Sequence, residues 1–516
     1  MLKGVAARFA LSLIQNQLFL PRVPFWDGFI MTKLEMTRRT KLSSLIGTAS
    51  LGLFSPACAR NAIGEGTLAG RWGGFLAVGS GLGLILEITV NQPIVLISVD
   101  QGNARIVATG GQSGPRIVDL EFASIGGQLK LVLTSQGTLE GQFTQGRSTP
   151  ITFTRLARGQ NPSRPSPAPY QDLQTEVDAA RAKSGVPALG GAFLLAKSGS
   201  MLSREAVSGV LVQGEQARVS AGMRWHVGSI TKSMTATLVA RLVERGLLAW
   251  DMKLGDVLSD LAPNMLPAYR SVTLSQLMTG RSGMPTNISI PNLILHLATD
   301  ETPTQRRKIW VQQALSLEPT GAVGTSFIYP NNGYVIAGAL CEKVTGTAYE
   351  SLMAEEVFRP LGLTTAGFGP PPIGNPQGHR KAIMGGRSMA VGVGNSADNP
   401  AAMSPAGRVH MSLSDLVKFG FAHCAGHQGK RNTYLQQTTW QFLHSPPAGT
   451  SGGIDYAYGW IARPDGTLWH NGSNTSWLAE LAFDPAKNVS ACSCATLFDS
   501  EAATSRILAA GLAQAG

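Results

Sequence analysis

Ser229 and Lys232 stand three residues apart in "WHVGSITKSMTATLVARLVERGLLAWDMKLGDVL", residues 225–258, and no other Ser-x-x-Lys occurs in the chain. Behind them Met234, Leu238, Val239, Leu242, Val243 and Leu247 recur at three- and four-residue spacing, which predicts a helix with a buried stripe, ending at Gly246. With Ser229 in its first turn, the two side chains share one face, a turn apart. A serine hydroxyl is a poor nucleophile until its proton is removed, and a lysine whose pKa is lowered by burial can remove it. The helix start adds backbone N–H groups and a positive dipole end beside a developing oxyanion. Alone, such a pair is usually solvated helix surface, so the rest of the chain has to decide.

The segment is similar to the nucleophile helix of the serine β-lactamase and penicillin-binding-protein superfamily. It looks most like the class C-related branch that includes esterases and D-amino-acid peptidases. "VTLSQLMTGRSGMP" and "GTSFIYPNNGYVIAGALCEKVTGTAYESLMAEEVFRPLGLTTAGFG" resemble the next landmarks, in order, over roughly residues 172–510. The resemblance implies a β-lactamase/transpeptidase-like α/β (α+β) domain, an antiparallel sheet flanked by helices with a helical subdomain. Carried over, "YPN" marks Tyr329 and Asn331, and no other tyrosine here has Asn two residues later. An ammonium at Lys232 would lower the Tyr329 pKa, making it a base for Ser229 and later an acid for the leaving group. Asn331 would orient Lys232 and the substrate carbonyl. The family's third motif, Lys-Thr-Gly or His-x-Gly, is matched by His470, Asn471 and Gly472 in "LWHNGSNTSWLAELAFD". Gly472 would admit the acyl group, and the N–H of Ser473 would join that of Ser229 in an oxyanion hole.

His-x-Gly alone is a weak pattern, since His226 and His427 also fit; position before a strand selects His470. A histidine there is largely uncharged near pH 7, whereas a lysine would hold a penicillin carboxylate with a permanent charge. That favours esters, amides or D-amino-acid peptides as substrates, with a true β-lactamase or D,D-carboxypeptidase as the alternative. A non-catalytic binding protein on this fold is the lesser alternative, because such proteins usually lose the nucleophile, base or tyrosine. Gly280 stands where the family often has His. "GTSGG", 449–453, matches a nucleophile elbow but runs into a strand-like segment, so it reads as a loop. Residues 385–407 read as a flexible loop of the sort that lines a site mouth, with no residue singled out. The chemistry requires neither metal nor organic cofactor, and the partner is a small-molecule or peptide substrate.

The elements that must hold these residues begin with residues 1–59, read as export signal plus upstream extension. "MTRRTK", an apolar run and "ACA" at 57–59 form a leader, and paired Arg38 and Arg39 resemble a twin-arginine signal. Periplasmic or secreted location follows; Cys58 is a weak candidate for lipidation, and no later run is long enough to span a membrane. Formal net charge is +11, but residues 1–59 hold seven Lys/Arg against Asp27 and Glu35, so what remains is too thinly spread for a nucleic-acid surface. Residues 60–157 alternate polar and apolar in short runs between Gly-rich turns, predicting a small antiparallel sheet or barrel. The runs also resemble a β module attached to some bacterial secreted hydrolases. Pro- and Ser-rich 158–170 reads as a linker. In 171–516 strands at both ends enclose a helical middle, so the sheet is assembled from distant parts of the chain. Cys341, Cys424, Cys492 and Cys494 lack zinc spacing and read as buried thiols or a disulfide pair.

Overall fold

The computed structural model describes residues 68–515 except 77–81, 90–91, 100–103, 114–115, 124–125, 146, 158, 163–170, 298–300, 382–387, 431–433 and 449–454. The leader with Cys58, most of the linker and the "GTSGG" segment lie outside the described residues. The described residues form two compact units, divided between Ser166 and Pro167.

Among the described residues the first unit is an antiparallel meander of nine strands. In chain order they are β1 Gly70–Leu76, β2 Leu82–Ile88, β3 Val95–Ser98, β4 Ala104–Val107, β5 Gly110–Ser113, β6 Ile117–Phe122, β7 Gly127–Leu133, β8 Leu139–Gln145 and β9 Arg147–Leu156. Their order in the sheet is β4-β3-β2-β1-β9-β8-β7-β6-β5. The two edge strands are thus consecutive in sequence, joined only by Ala108 and Thr109. Those two residues span about 7–10 Å at most, so the sheet must curl until its edges approach. The connector seals them: Ala108 N–H donates to Ile94 O beside β3 and Thr109 N–H to Glu121 O on β6. Of the two forms expected from alternation, sheet or barrel, a rolled barrel-like sheet is the one observed. Every second residue points inward, filling the interior with Trp72, Leu86, Val118, Leu120, Phe122, Leu129, Leu131 and Phe153.

The second unit is built on a six-stranded antiparallel sheet ordered β11-β10-β20-β19-β18-β17. Its strands are β10 Ala188–Lys197 and β11 Ser200–Gly209 from the start of the unit, and β17 Ile461–Ala462, β18 Leu468–Ser473, β19 Leu478–Asp484 and β20 Val489–Ala495 from its end. The fold expected from sequence, helices flanking an antiparallel sheet closed from both chain ends, is the one present. Between them β12 Arg224–Gly228 and β13 Gly367–Phe368 pair with β16 Val409–Ser412, and β14 His379–Arg380 pairs with β15 Met389–Ala390. The main helices are α1 Leu173–Ser184, α2 Thr231–Glu244, α3 Pro303–Leu315, α4 Asn331–Thr345, α5 Leu413–His427, α6 Gln437–Leu443 and α7 Glu501–Ala513. Helices α5 and α7 cover the two faces of β19 and β20, which is why every residue of those strands is buried. Asp172 caps α1 and left-handed Gly185 ends it. Arg506 on α7 grips Glu176 on α1 through two 2.9 Å bonds, tying the unit's last helix to its first.

Helix α2 runs through the interior and is buried almost all round, not along one stripe; Leu247, counted in the expected stripe, is 38% exposed. The expectation fails because apolar periodicity overlooks its buried hydroxyls. Thr235 donates to Thr231 O and Thr237 to Ser233 O, which satisfies both without a polar face. From α2 a row of imidazoles leads outward. Thr237 Oγ1 meets His423 Nε2 at 3.1 Å, His423 Nδ1 meets His444 Nε2 at 2.9 Å, and His444 Nδ1 meets His427 Nδ1 at 3.0 Å. Since the Thr237 proton is already given to Ser233 O, each ring must donate inward and accept from the next. The four cysteines are free and buried.

Candidate active site

Ser229 is not in the first turn of α2 but in the tight turn between β12 and that helix, with Lys232 N–H donating to Ser229 O at 2.9 Å. The turn begins with a β-bulge, and Gly228 has φ +51°, a left-handed conformation that costs other residues about 1–2 kcal/mol. Space also demands glycine. A Cβ on Gly228 would lie 2.2 Å from Ser473 N, and one on Gly472 would lie 2.1 Å from Val227 O and 2.5 Å from Ser229 N. Two chain segments without side chains therefore cross in backbone contact, and the crossing carries the nitrogens of both Ser229 and Ser473. The Ser473 hydroxyl turns away, donating to Trp477 O at 2.6 Å and accepting from Thr475 N–H.

Lys232 Nζ lies 3.0 Å from Ser229 Oγ and 2.6 Å from Ala406 O, fully buried, with the ring centroids of Tyr329 and Tyr334 at 4.7 and 5.8 Å. Burial holds its pKa well below that of an ordinary lysine. Ser229 lies on the other side towards Tyr329, close enough for its hydroxyl to act on the phenol. Burial pushes the Tyr329 pKa above the ordinary phenol value, and the Ser229 hydroxyl only partly offsets this. The expected lowering of the Tyr329 pKa by a neighbouring ammonium is thus reversed: desolvation disfavours the charged form of both groups. Asn331 also departs from expectation. Its Nδ2 donates to Asn287 Oδ1 at 3.0 Å, whereas Lys232 bonds to Ser229 and Ala406, so Asn331 does not orient the lysine.

His470 packs behind the tyrosines, 6.5 Å from the Tyr329 ring and 5.9 Å from Tyr456 between centroids. Its Nδ1 is bonded to Asn471 O, and its Nε2 is buried without a hydrogen-bond partner among the described residues. Burial, with the nearby Lys232, holds its pKa at about 3, so it is uncharged at neutral pH. Over Ser229 opens a small cavity of about 50 Å³ lined by Ser229, Asn287, Leu293, Asn331, Asn399, Met403, Ala406, Gly407, Ser473 and Asn474. No charged side chain is among them. Gly280, at the position where the family often has His, is left-handed at φ +71°, and a Cβ there would lie 2.6 Å from Ile328 O and 2.9 Å from the Phe327 ring. Among the described residues no group of three His, Cys, Asp or Glu could hold a metal ion.

Asn287, Asn399 and Asn474 were not found by sequence reasoning. Asn399 lies in the 385–407 loop, whose site-mouth character was readable, but nothing in its composition distinguishes one polar residue from the next. Asn474 follows the His-x-Gly motif by two residues and had that positional signal alone.

The Beta-lactamase family model matches residues 177–514. Penicillin-binding protein 4 of Amycolatopsis lactamdurans is 29% identical over 197 residues, 38% of this chain and 49% of the relative, so the chain spans about half of that protein's length. The D-alanyl-D-alanine-carboxypeptidase/endopeptidase AmpH of Escherichia coli K12 is 23% identical over 284 residues, 52% of this chain and 69% of AmpH. Among solved structures, the D-amino acid amidase of Ochrobactrum anthropi SV3 superposes with a TM-score of 0.52 at 21% identity, covering 66% of this chain and 97% of the amidase, a likeness of fold.

Proposed function

Because the chain belongs to the beta-lactamase family, whose serine hydrolases work through an acyl-enzyme, we propose that it is an exported hydrolase of esters, amides or D-amino-acid peptides with Ser229 as nucleophile. The observation that carries this reading is Ser229 Oγ held between a buried amine, 3.0 Å away, and the Tyr329 phenol. Lys232, whose charged form burial disfavours, accepts the Ser229 proton as the amine while its own N–H remains on Ala406 O. The attacked carbonyl oxygen takes the N–H groups of Ser229 and Ser473 at the glycine crossing. Tyr329, still protonated, gives its proton to the leaving group, and Lys232 returns one to the phenolate. Water then attacks the acyl carbonyl, passing its proton through the Tyr329 hydroxyl to Lys232, which returns a proton to Ser229 Oγ as the acyl bond breaks.

The substrate preference rests on charge. With His470 uncharged and buried and the cavity lining neutral, a substrate carboxylate finds no fixed cation there. Asparagine amides and the apolar Leu293 and Met403 suit an uncharged acyl or leaving group instead. Export is supported by Arg38 and Arg39 ahead of the apolar run and the "ACA" site. A panel of nitrocefin, p-nitrophenyl acyl esters and D-amino-acid amides, each against wild type and Ser229→Ala, tests the preference. Turnover of an ester or amide with kcat/KM at least about tenfold above nitrocefin, lost in Ser229→Ala, is expected. Efficient nitrocefin hydrolysis would transfer the protein to the alternative, a true β-lactamase or D,D-carboxypeptidase.

A further inference from the structure

Behind the glycine crossing lies a buried polar cluster that the catalytic steps do not use. Asp398 is its centre. Its Oδ2 accepts from His226 Nε2 at 3.0 Å and from Arg408 Nε at 3.2 Å; its Oδ1 accepts from Asn399 N–H at 2.7 Å and from Asn474 Nδ2 at 2.9 Å. His226 in turn accepts the Gly228 N–H on Nδ1 at 3.1 Å, so its proton must be on Nε2, facing the carboxylate. Trp477 stacks on the His226 ring at 5.4 Å and fixes its plane. All four side chains are more than nine-tenths buried.

Two arms therefore leave one carboxylate. The first runs through His226 to Gly228, the residue before Ser229. The second runs through Asn474, the residue after Ser473. These arms end on the two backbone segments whose nitrogens meet at the crossing.

We propose that His226 and Asp398 are positioning residues that set the two halves of the oxyanion hole relative to each other, acting through Gly228 and Asn474. The inference rests on the Ser229 reading above. The geometry explains why a left-handed glycine turn, ordinarily soft, keeps one orientation: its N–H is claimed by an imidazole whose other nitrogen is claimed by a carboxylate. Nothing in the cluster reaches the pocket except through Asn399 and Asn474. A purely structural ion-pair cluster would stabilise the fold and leave the chemical step alone, which separates the two roles experimentally.

The variants are His226→Ala, which removes both bonds; His226→Asn, whose Oδ1 can still accept the Gly228 N–H; and Asp398→Asn, which sets an amide N–H₂ against at least one of the existing donors. Each is compared with wild type for kcat, KM, Tm and the rate of Ser229 phosphonylation by a fluorophosphonate, a reaction that needs the oxyanion donors. For His226→Ala the expected result is a fall of about 100-fold in kcat and labelling rate, with KM within about threefold. His226→Asn should recover part of that loss. A folded His226→Ala or Asp398→Asn that labels within about threefold of the wild-type rate, while Tm drops, would overturn the proposal. If His226→Ala does not fold, Asp398→Asn and His226→Asn decide on the same readout. Failure of the wild-type protein to label at Ser229 would overturn the site reading itself, a distinct outcome.

Discussion

At the residue scale the site depends on desolvation rather than on a charged neighbour. Among the described residues Lys232 has no carboxylate partner; its nitrogen meets a hydroxyl, a backbone carbonyl and two aromatic faces. The same burial that disfavours the ammonium disfavours the Tyr329 phenolate, so one environment shifts the lysine towards a base and the tyrosine towards an acid. The sign for the pH profile follows. The base form of Lys232 is lost as pH falls through a value well below the ordinary lysine pKa of about 10.4. The acid form of Tyr329 is lost only above the ordinary phenol value of about 10. A kcat/KM profile should therefore rise on an acidic limb displaced far below pH 10 and show no falling limb before pH 10 is passed. A falling limb near pH 8 would contradict the assignment of Tyr329 as a protonated acid.

At the element scale, what matters is how α2 is anchored. The imidazole row from Thr237 through His423 and His444 to His427 joins α2 to α5 and to the chain just after α6. His444 is the middle of that row, donating through one nitrogen and accepting through the other. Replacing it with leucine fills the volume but leaves His423 Nδ1 buried without its donor. His444→Leu should cost about 2 kcal/mol in urea unfolding, with Ser229 labelling retained; an unchanged midpoint would show that the row contributes nothing. None of this was legible in the sequence, because His423 on α5 and His444 just past the end of α6 are 21 residues apart and carry no shared periodic signal. The helix, turn and strand holding Ser229, Lys232, Tyr329 and His470 were legible because each lies in a contiguous motif beside a strong apolar pattern. Asp398 was not: its partner His226 is 172 residues away, and "HVG" carries no more signal than a second match to His-x-Gly.

At the scale of the whole molecule the histidines dominate the response to acid. Seven have pKa values lowered by burial: His296, His379, His410 (to about 4), His423, His427, His444 and His470 (to about 3). Below the ordinary histidine value of about 6.5 the unfolded chain binds protons that the folded chain does not. Unfolding therefore takes up protons, and stability falls as pH falls from about 7 towards 5. Tm measured across that interval should decline steadily; a flat or rising Tm would contradict the burial of these rings. The fold class was readable from strands at both ends of a helical middle. What composition left open was whether the alternating module forms a sheet or a barrel. That depended on edge strands joined by two residues, a matter of pairing order rather than of any single run.

The central claim is that Ser229 is the nucleophile, and intact-mass and peptide mass spectrometry after incubation with a fluorophosphonate probe tests it most directly. One adduct per chain on Ser229, absent in Ser229→Ala and slowed at least about 100-fold in Lys232→Arg, is the predicted result. An adduct on another residue, or one that persists in Ser229→Ala, would contradict it.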